Sequence, residues 1–153
     1  MKGETKMEKI KITYLSDKIE KLEYIDGKSD WIDLRAAEEV ELKQGDFKLI
    51  NLGVSICLPD GYEAIITPRS STFKKWGIIQ TNSIGIIDET YGKTSTDDVW
   101  MMPVLAMRDT KICINDRICQ FRIVKHQPAV EFVDRPIITN GVARGGFGST
   151  GSN

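Results

Sequence analysis

Leu52, Val54, Ile56 and Leu58 place a large aliphatic side chain on every second position, and the run stops at Pro59-Asp60-Gly61. Successive side chains of a strand point to opposite faces, so a period of two commits this segment, Phe47 to Leu58, to a strand with one buried face. The device recurs along the chain. Ile10, Ile12 and Tyr14 alternate with polar residues over a predicted strand at 9–15, Asp26-Gly27 turns the chain ahead of Trp31-Ile32-Asp33-Leu34, and Val40 and Leu42 alternate before Gln44-Gly45-Asp46. A strand from Tyr62 to Thr67 stops at Pro68, whose ring removes a ladder donor. Further strands are expected near 78–81, 84–87, 99–107 and 129–133, and Lys111 to Ile114 with Arg117 to Val124 reads as a hairpin turning at Asn115-Asp116. The one convincing helical turn is Thr72 to Gly77, with Ser71 or Thr72 as its cap and Gly77 as its end. Short strands, frequent turns and almost no helix predict an all-β sandwich or barrel.

Composition narrows the function classes. At 153 residues the chain fits one domain that buries a core without disulfides or metal, and its net charge of -1 gives no general attraction to nucleic acid or anionic membrane. Cys57, Cys113 and Cys119 are odd in number and lack C-x-x-C spacing, so they are expected as reduced thiols in apolar settings. Met-Lys-Gly-Glu-Thr-Lys at the start is followed by no long apolar run, which predicts neither signal peptide nor membrane helix and a cytoplasmic protein. After Ile138 the residues are mainly Gly, Ser, Thr and Asn, which cannot bury enough apolar surface to fold alone. The expected organisation is therefore a β domain over 1–137 and a flexible arm over 138–153.

Three segments carry chemistry. Gly85-Ile-Ile-Asp-Glu-Thr-Tyr91 delivers a carboxylate and an aromatic ring three residues apart; Asp88 suits a general base on water and Tyr91 suits packing against a sugar, although Asp88 capping a turn fits the same pattern. Pro68-Arg69-Ser70-Ser71 brings a planar guanidinium fork and hydroxyls to a strand-to-helix junction, which suits a phosphate as well as it suits a surface turn. Arg144-Gly-Gly-Phe-Gly-Ser-Thr-Gly151 offers close backbone approach at Gly148, hydroxyls at Ser149 and Thr150, and a flat face at Phe147 for stacking on a base. Asp97-Asp98 is expected as a solvated turn. His126, the single histidine, lies between Lys125 and Gln127 and is expected at the surface, so a cluster of several histidines around a metal is excluded. Hydrolysis on this chain calls for a carboxylate, water and a cation such as Mg²⁺ that takes substrate phosphates as ligands.

Taken in order, these segments resemble the trimeric dUTPase family, in the version found in phages and prophages of Gram-positive bacteria. Asp33-Leu34-Arg35-Ala36 resembles its first motif, Pro68 to Ser71 the second, Asn82 to Tyr91 the third, Asn115-Asp-Arg-Ile-Cys-Gln120 the fourth and Arg144 to Gly151 the fifth. The resemblance implies a jelly-roll-like β fold, a homotrimer with interface sites completed by exchanged arms, and Mg²⁺-dependent cleavage of dUTP to dUMP and pyrophosphate. Such an activity limits uracil in DNA and supplies dUMP. Residue by residue it implies Asp88 as the base, Tyr91 against the deoxyribose, and Asn82 reading uracil with the hairpin backbone through Gly85 and Ile87. It further implies Arg69, Ser70, Ser71 and Gln120 at the phosphates, Asp33 on Mg²⁺ through water, and Arg144, Phe147, Gly148, Ser149 and Thr150 closing from the arm. Ser71 stands where the family has Gly, and the arm has two fewer residues between Arg144 and Phe147 than the usual pattern.

Two alternatives stay open. A deaminase of dCTP shares the fold and Arg-Ser-Ser, alone or combined with dUTP cleavage; its chemistry needs a Glu base, where this chain has the Asp88 hairpin. A phage regulatory protein that binds a repressor under nucleotide control is the non-enzymatic alternative, with the loop at 92–98 as its surface.

Overall fold

The structure is a computed structural model that describes residues 7–24, 27–148, 150 and 151. Its strands are β1 (Lys11–Tyr14), β2 (Ile32–Arg35), β3 (Val40–Leu42), β4 (Phe47–Asn51), β5 (Val54–Cys57), β6 (Tyr62–Pro68), β7 (Ile78–Gln80), β8 (Gly85–Ile87), β9 (Met101–Ala106), β10 (Thr110–Ile112) and β11 (Arg117–Lys125), with one helical turn, α1 (Thr72–Trp76). All pairings are antiparallel, in sheets ordered β2-β11-β6-β8, β4-β9-β7, β1-β5 and β3-β10. The expected all-β class is what the chain adopts. No helix among the described residues is long and apolar enough to cross a membrane.

The period of two sets which side chains go inside. On β9, Met102, Val104 and Ala106 are buried while Met101, Pro103 and Leu105 alternate outward. Behind them Trp100 is fully buried and meets Phe121 edge to face, ring centroids 5.1 Å apart at 83°, the arrangement that aligns a positive ring edge with a negative face. Leu34, Ile50, Ile56, Ile66, Ile78 and Ile118 complete the core at 2% exposure or less, and each such side chain contributes about 1.5–3 kcal/mol relative to exposure. The outer face of β4-β9-β7 is apolar too: Phe47, Leu105 and Ile79 share one register row, with Leu49 and Pro103 in the next. Phe47, Leu49, Ile79 and Met101 are exposed there.

Three expectations change. The run from Phe47 to Leu58 is two strands, because Gly53 adopts φ +70 and switches the chain from β9 to β1; a Cβ on Gly53 would lie 2.8 Å from the Ala37 Cβ. Asn115 does turn the chain, at φ 76, but β10 and β11 do not pair as a hairpin. Instead Asn115 N–H donates to the Ala36 carbonyl at 2.8 Å and Ala36 N–H to the Asp116 carbonyl at 2.9 Å, so β10 and β11 continue one bent ladder against β3 and β2. Residues 129–133 form no strand: from His126 to Gly148 no regular element occurs and every residue is exposed. Their alternation finds no partner edge among the described residues.

The thiols are all free, yet only Cys119 is buried, where desolvation pushes its pKa far up. Cys113 is exposed, contrary to the expected apolar setting, because it sits at the bend between β10 and β11.

Candidate functional site

Arg69 follows β6 directly, where Pro68 ends the ladder. Its Nε lies 2.9 Å from Asp33 Oδ1, and one terminal nitrogen donates to the Arg117 carbonyl at 3.1 Å. Arg117 places its own guanidinium 3.2 Å from Asp33 Oδ2. Asp33 thus has both oxygens engaged by cations, with its side chain 17% exposed. Two guanidinium groups against one carboxylate leave a local surplus of positive charge, and of Arg69's five N–H donors three remain for an anion. Gln120 is the register partner of Asp33 on β11, and its Nε2 donates to the Pro68 carbonyl at 3.1 Å. Ser70 is exposed at the head of the turn.

Ser71 occupies the cap position of α1 but makes no side-chain cap bond. The hydroxyl that organises the junction belongs to Thr72, fully buried, which accepts from the Arg69 N–H at 2.8 Å and donates to the Ile118 carbonyl at 2.9 Å. One side chain therefore ties the second motif to the fourth. Thr72→Val keeps the shape and strands a buried donor and a buried acceptor, so a loss of about 2–3 kcal/mol is expected in urea unfolding; an unchanged midpoint would refute the tie.

The second half sits on the β7–β8 connection. β7 pairs with β9 and β8 with β6, so this connection bridges two sheets. Ser83 at φ 58 and an Ile84 N–H to Asn82 carbonyl bond of 2.5 Å make its tip tight, with Asn82 exposed on it. Gly85 is buried, and a Cβ there would lie 3.3 Å from Ile66 Cβ and 3.4 Å from Gln80 Nε2; its absence lets the connection lie close against β6. Gln80 Nε2 donates to the Ile66 carbonyl at 3.0 Å beneath it.

Asp88 follows β8 and is exposed. Its Oδ1 accepts from the Thr90 hydroxyl at 2.6 Å and the Thr90 N–H at 2.8 Å. Those two bonds, the hydroxyl's first, hold its pKa below the usual carboxylate value, so it is ionised at neutral pH. Tyr91 donates its hydroxyl to the Val99 carbonyl at 2.8 Å, and burial raises its pKa, with Asp98 adding to the effect. Ile87, Asp88, Tyr91, Val99, Leu49 and Met101 border an open depression of about 340 Å³. On the other side of Asp88, Glu63, Glu89, Thr90 and His126 border a second of about 690 Å³. His126 is at the surface as expected, but paired: Nε2 lies 2.8 Å from Glu89 Oε2, and Glu89 also accepts from Gly61 N–H and Lys93.

The loop at 92–98 is a closed structure. Gly92, at φ +89, approaches so closely that a Cβ would lie 2.6 Å from the Ile56 carbonyl oxygen, and its N–H donates to Asp98 at 2.9 Å. Asp97 is exposed in a turn, as expected, whereas Asp98 is partly buried and closes this loop on itself.

Asp88 and Arg69 do not meet in one chain, although Gly85, in register with Ile66, lies near the Pro68 end of β6. Ile87 pairs with Ala64, which puts Asp88 level with Glu63, whereas Gln120 pairs with Thr67 and Arg69 follows Pro68. At about 3.3 Å per residue, Asp88 and Arg69 are separated by roughly 20 Å along β6. The arm joins neither half: Arg144, Phe147, Gly148 and Thr150 are exposed, and Ser149 lies outside the described residues. The sequence assigns no role of their own to Arg117 and Thr90, and to Thr72 only that of a candidate helix cap. Arg117 lies inside the fourth motif, so position alone could have flagged it; the other two act only through hydrogen bonds.

An all-β domain with an ionised carboxylate beside a tyrosine at one end of its central strand, and two arginines on one aspartate at the other, is the class these features define. The family model described as dUTPase matches residues 31–151, and the chain belongs to that family. It is 53% identical over 146 residues to the SPbeta prophage-derived deoxyuridine 5'-triphosphate nucleotidohydrolase of Bacillus subtilis strain 168, covering 94% of this chain and 98% of that one. To the deoxyuridine 5'-triphosphate nucleotidohydrolase of Rickettsia typhi it is 38% identical, over 92% of this chain and 99% of the other. Among solved structures, a Staphylococcus bacteriophage 80alpha dUTPase mutant with dUpNHpp superposes with a TM-score of 0.76 at 19% identity, covering 95% of this chain and all of that one (100%). A mutant dUTPase from phage phi11 of S. aureus gives 0.72 at 18%, covering 84% and 98%. At those identities the structural likeness speaks for the fold.

Proposed function

We propose that this chain hydrolyses dUTP to dUMP and pyrophosphate, Asp88 taking a proton from the water that attacks the α-phosphorus, in sites assembled between copies of the chain. The observation that carries the reading is the family match over residues 31–151, within which Asp88 has one oxygen fixed by Thr90 while Oδ2 takes no hydrogen bond from the described residues. As the new P–O bond forms, the bond to the bridging oxygen breaks and pyrophosphate leaves with its electron pair. A weak base suffices here, because phosphoryl transfer depends on positioning and on neutralising the leaving charge more than on covalent chemistry. Tyr91 sits against the deoxyribose, Asn82 and the backbone at Gly85 and Ile87 read uracil, and Arg69, Ser70, Ser71 and Gln120 take phosphate oxygens. The arm, through Arg144, Phe147, Gly148, Ser149 and Thr150, closes over the nucleotide and excludes water.

Mg²⁺ fits this donor set in one manner. Asp33 gives one lone pair of each oxygen to a guanidinium, so it would hold the ion only through an ordered water, and the triphosphate would supply the remaining oxygen ligands. Bound so, it neutralises phosphate charge.

Association with other copies of the chain, a homotrimer in this reading, is supported by two observations. Asp88 and the anion site stand too far apart in one chain to act on neighbouring phosphates, and the apolar face carrying Phe47, Leu49 and Ile79 is left exposed by the described residues. The expected cytoplasmic location belongs to the same reading.

Incubation with dUTP, dCTP, dTTP and UTP plus Mg²⁺, following pyrophosphate and ammonia separately, tests the reaction. Pyrophosphate from dUTP alone is expected; ammonia from dCTP, or equal turnover of UTP, would overturn it. Phage 80alpha dUTPase is described as controlling transfer of virulence genes by a proto-oncogenic G protein-like mechanism. For this chain a repressor partner is tested in the same assay, where candidate repressors that leave dUTP turnover untouched dismiss it.

A further inference from the structure

We infer that Thr90 is the positioning residue for Asp88, its hydroxyl holding one carboxylate oxygen so that the other is presented to the attacking water. The inference rests on Asp88 being the base. An exposed aspartate rotates freely about its side-chain bonds, and only some rotamers direct a lone pair at a water in line with the leaving group. At Asp88, the hydroxyl at 2.6 Å and the N–H at 2.8 Å both come from Thr90 and both reach Oδ1, a two-point grip that fixes the plane of the carboxylate.

The neighbours do not supply this grip. Glu63 faces Asp88 from β6 as a like charge, and Glu89 is engaged by His126, Lys93 and the Gly61 N–H. His126 and Lys93 act on Asp88 only through space, as the smaller influences on its ionisation. Among the described residues, Thr90 alone donates directly to the carboxylate. The same hydroxyl favours the charged form, so it keeps the base ionised as well as aimed.

Thr90→Val removes the hydroxyl, keeps the branch and leaves the backbone bond in place at an exposed position. Its kcat for dUTP is expected to fall about tenfold with KM nearly unchanged, since misaiming a reacting group costs turnover rather than binding. The acid limb of its kcat profile moves to higher pH, because the carboxylate loses a hydrogen bond to its charged form. Thr90→Ser restores both. A valine variant with wild-type kcat and an unmoved acid limb would overturn the inference, as would loss of turnover that serine does not rescue. Asp88→Asn, assayed in parallel, separates the layers: full activity there removes the base itself, whereas an inactive Asp88→Asn beside an unaffected Thr90→Val removes the positioning role alone.

Discussion

Asp88→Asn leaves dUTP binding within a few-fold of wild type and lowers turnover by about a thousandfold, inside the usual range for loss of a general base. Asparagine has the same shape, and its carbonyl oxygen accepts the two Thr90 bonds at the Oδ1 position, so the turn keeps its geometry. What disappears is the negative charge and the proton acceptor. Because Thr90 holds the Asp88 pKa below the ordinary carboxylate value, wild-type activity is expected to be flat through neutral pH, with Asp88 contributing only to its acid side. Pyrophosphate release in single turnover, set beside equilibrium binding of dUTP, reads the two effects apart. Turnover above a tenth of wild type would make Asp88 a turn cap rather than a base.

The residues show why some features could be read early and others could not. Local period and turn chemistry depend on a few neighbours, so Ile10-Ile12-Tyr14 announced a strand and Gly77 the end of α1, which it closes at φ 61 with a 2.7 Å bond to Phe73. Pairing is a long-range choice. Asn115-Asp116 signalled a turn correctly, yet the ladder there is made with Ala36, far away in sequence. The stretch at 129–133 has the right alternation and no edge to join. The site follows the same division. Residue type pointed to Asp88, Tyr91, Arg69 and Gln120, but Thr90 and Thr72 reveal their roles only through hydrogen bonds of 2.6 to 2.9 Å. Chain order also hides level: Gly85 of the third motif pairs with Ile66 near the second motif, and the strand pairings alone carry Asp88 to the opposite end of β6 from Arg69.

That separation leads to the prediction that two inactive proteins make an active one. Let one chain carry Asp88→Asn and the other Ser70→Ala with Gln120→Ala. Each alone is expected to lose at least a hundredfold in turnover, the first for want of the base and the second for want of phosphate contacts. Ser70 is exposed and Gln120 gives up one hydrogen bond to a carbonyl, so both chains fold and assemble. Were the base and the anion site to serve the same reaction from one chain, mixing would restore nothing, since every site would inherit one defect. With the base from one copy and the phosphate contacts from another, a random trimer of equal parts holds both intact groups in about a quarter of its sites. Coexpression with two different affinity tags and purification through both would isolate the mixed trimers. With homotrimers removed, each isolated trimer keeps one intact site in three, so activity of about a third of wild type is expected, and a mixture no better than its components would mean that the roughly 20 Å along β6 is closed within a single chain.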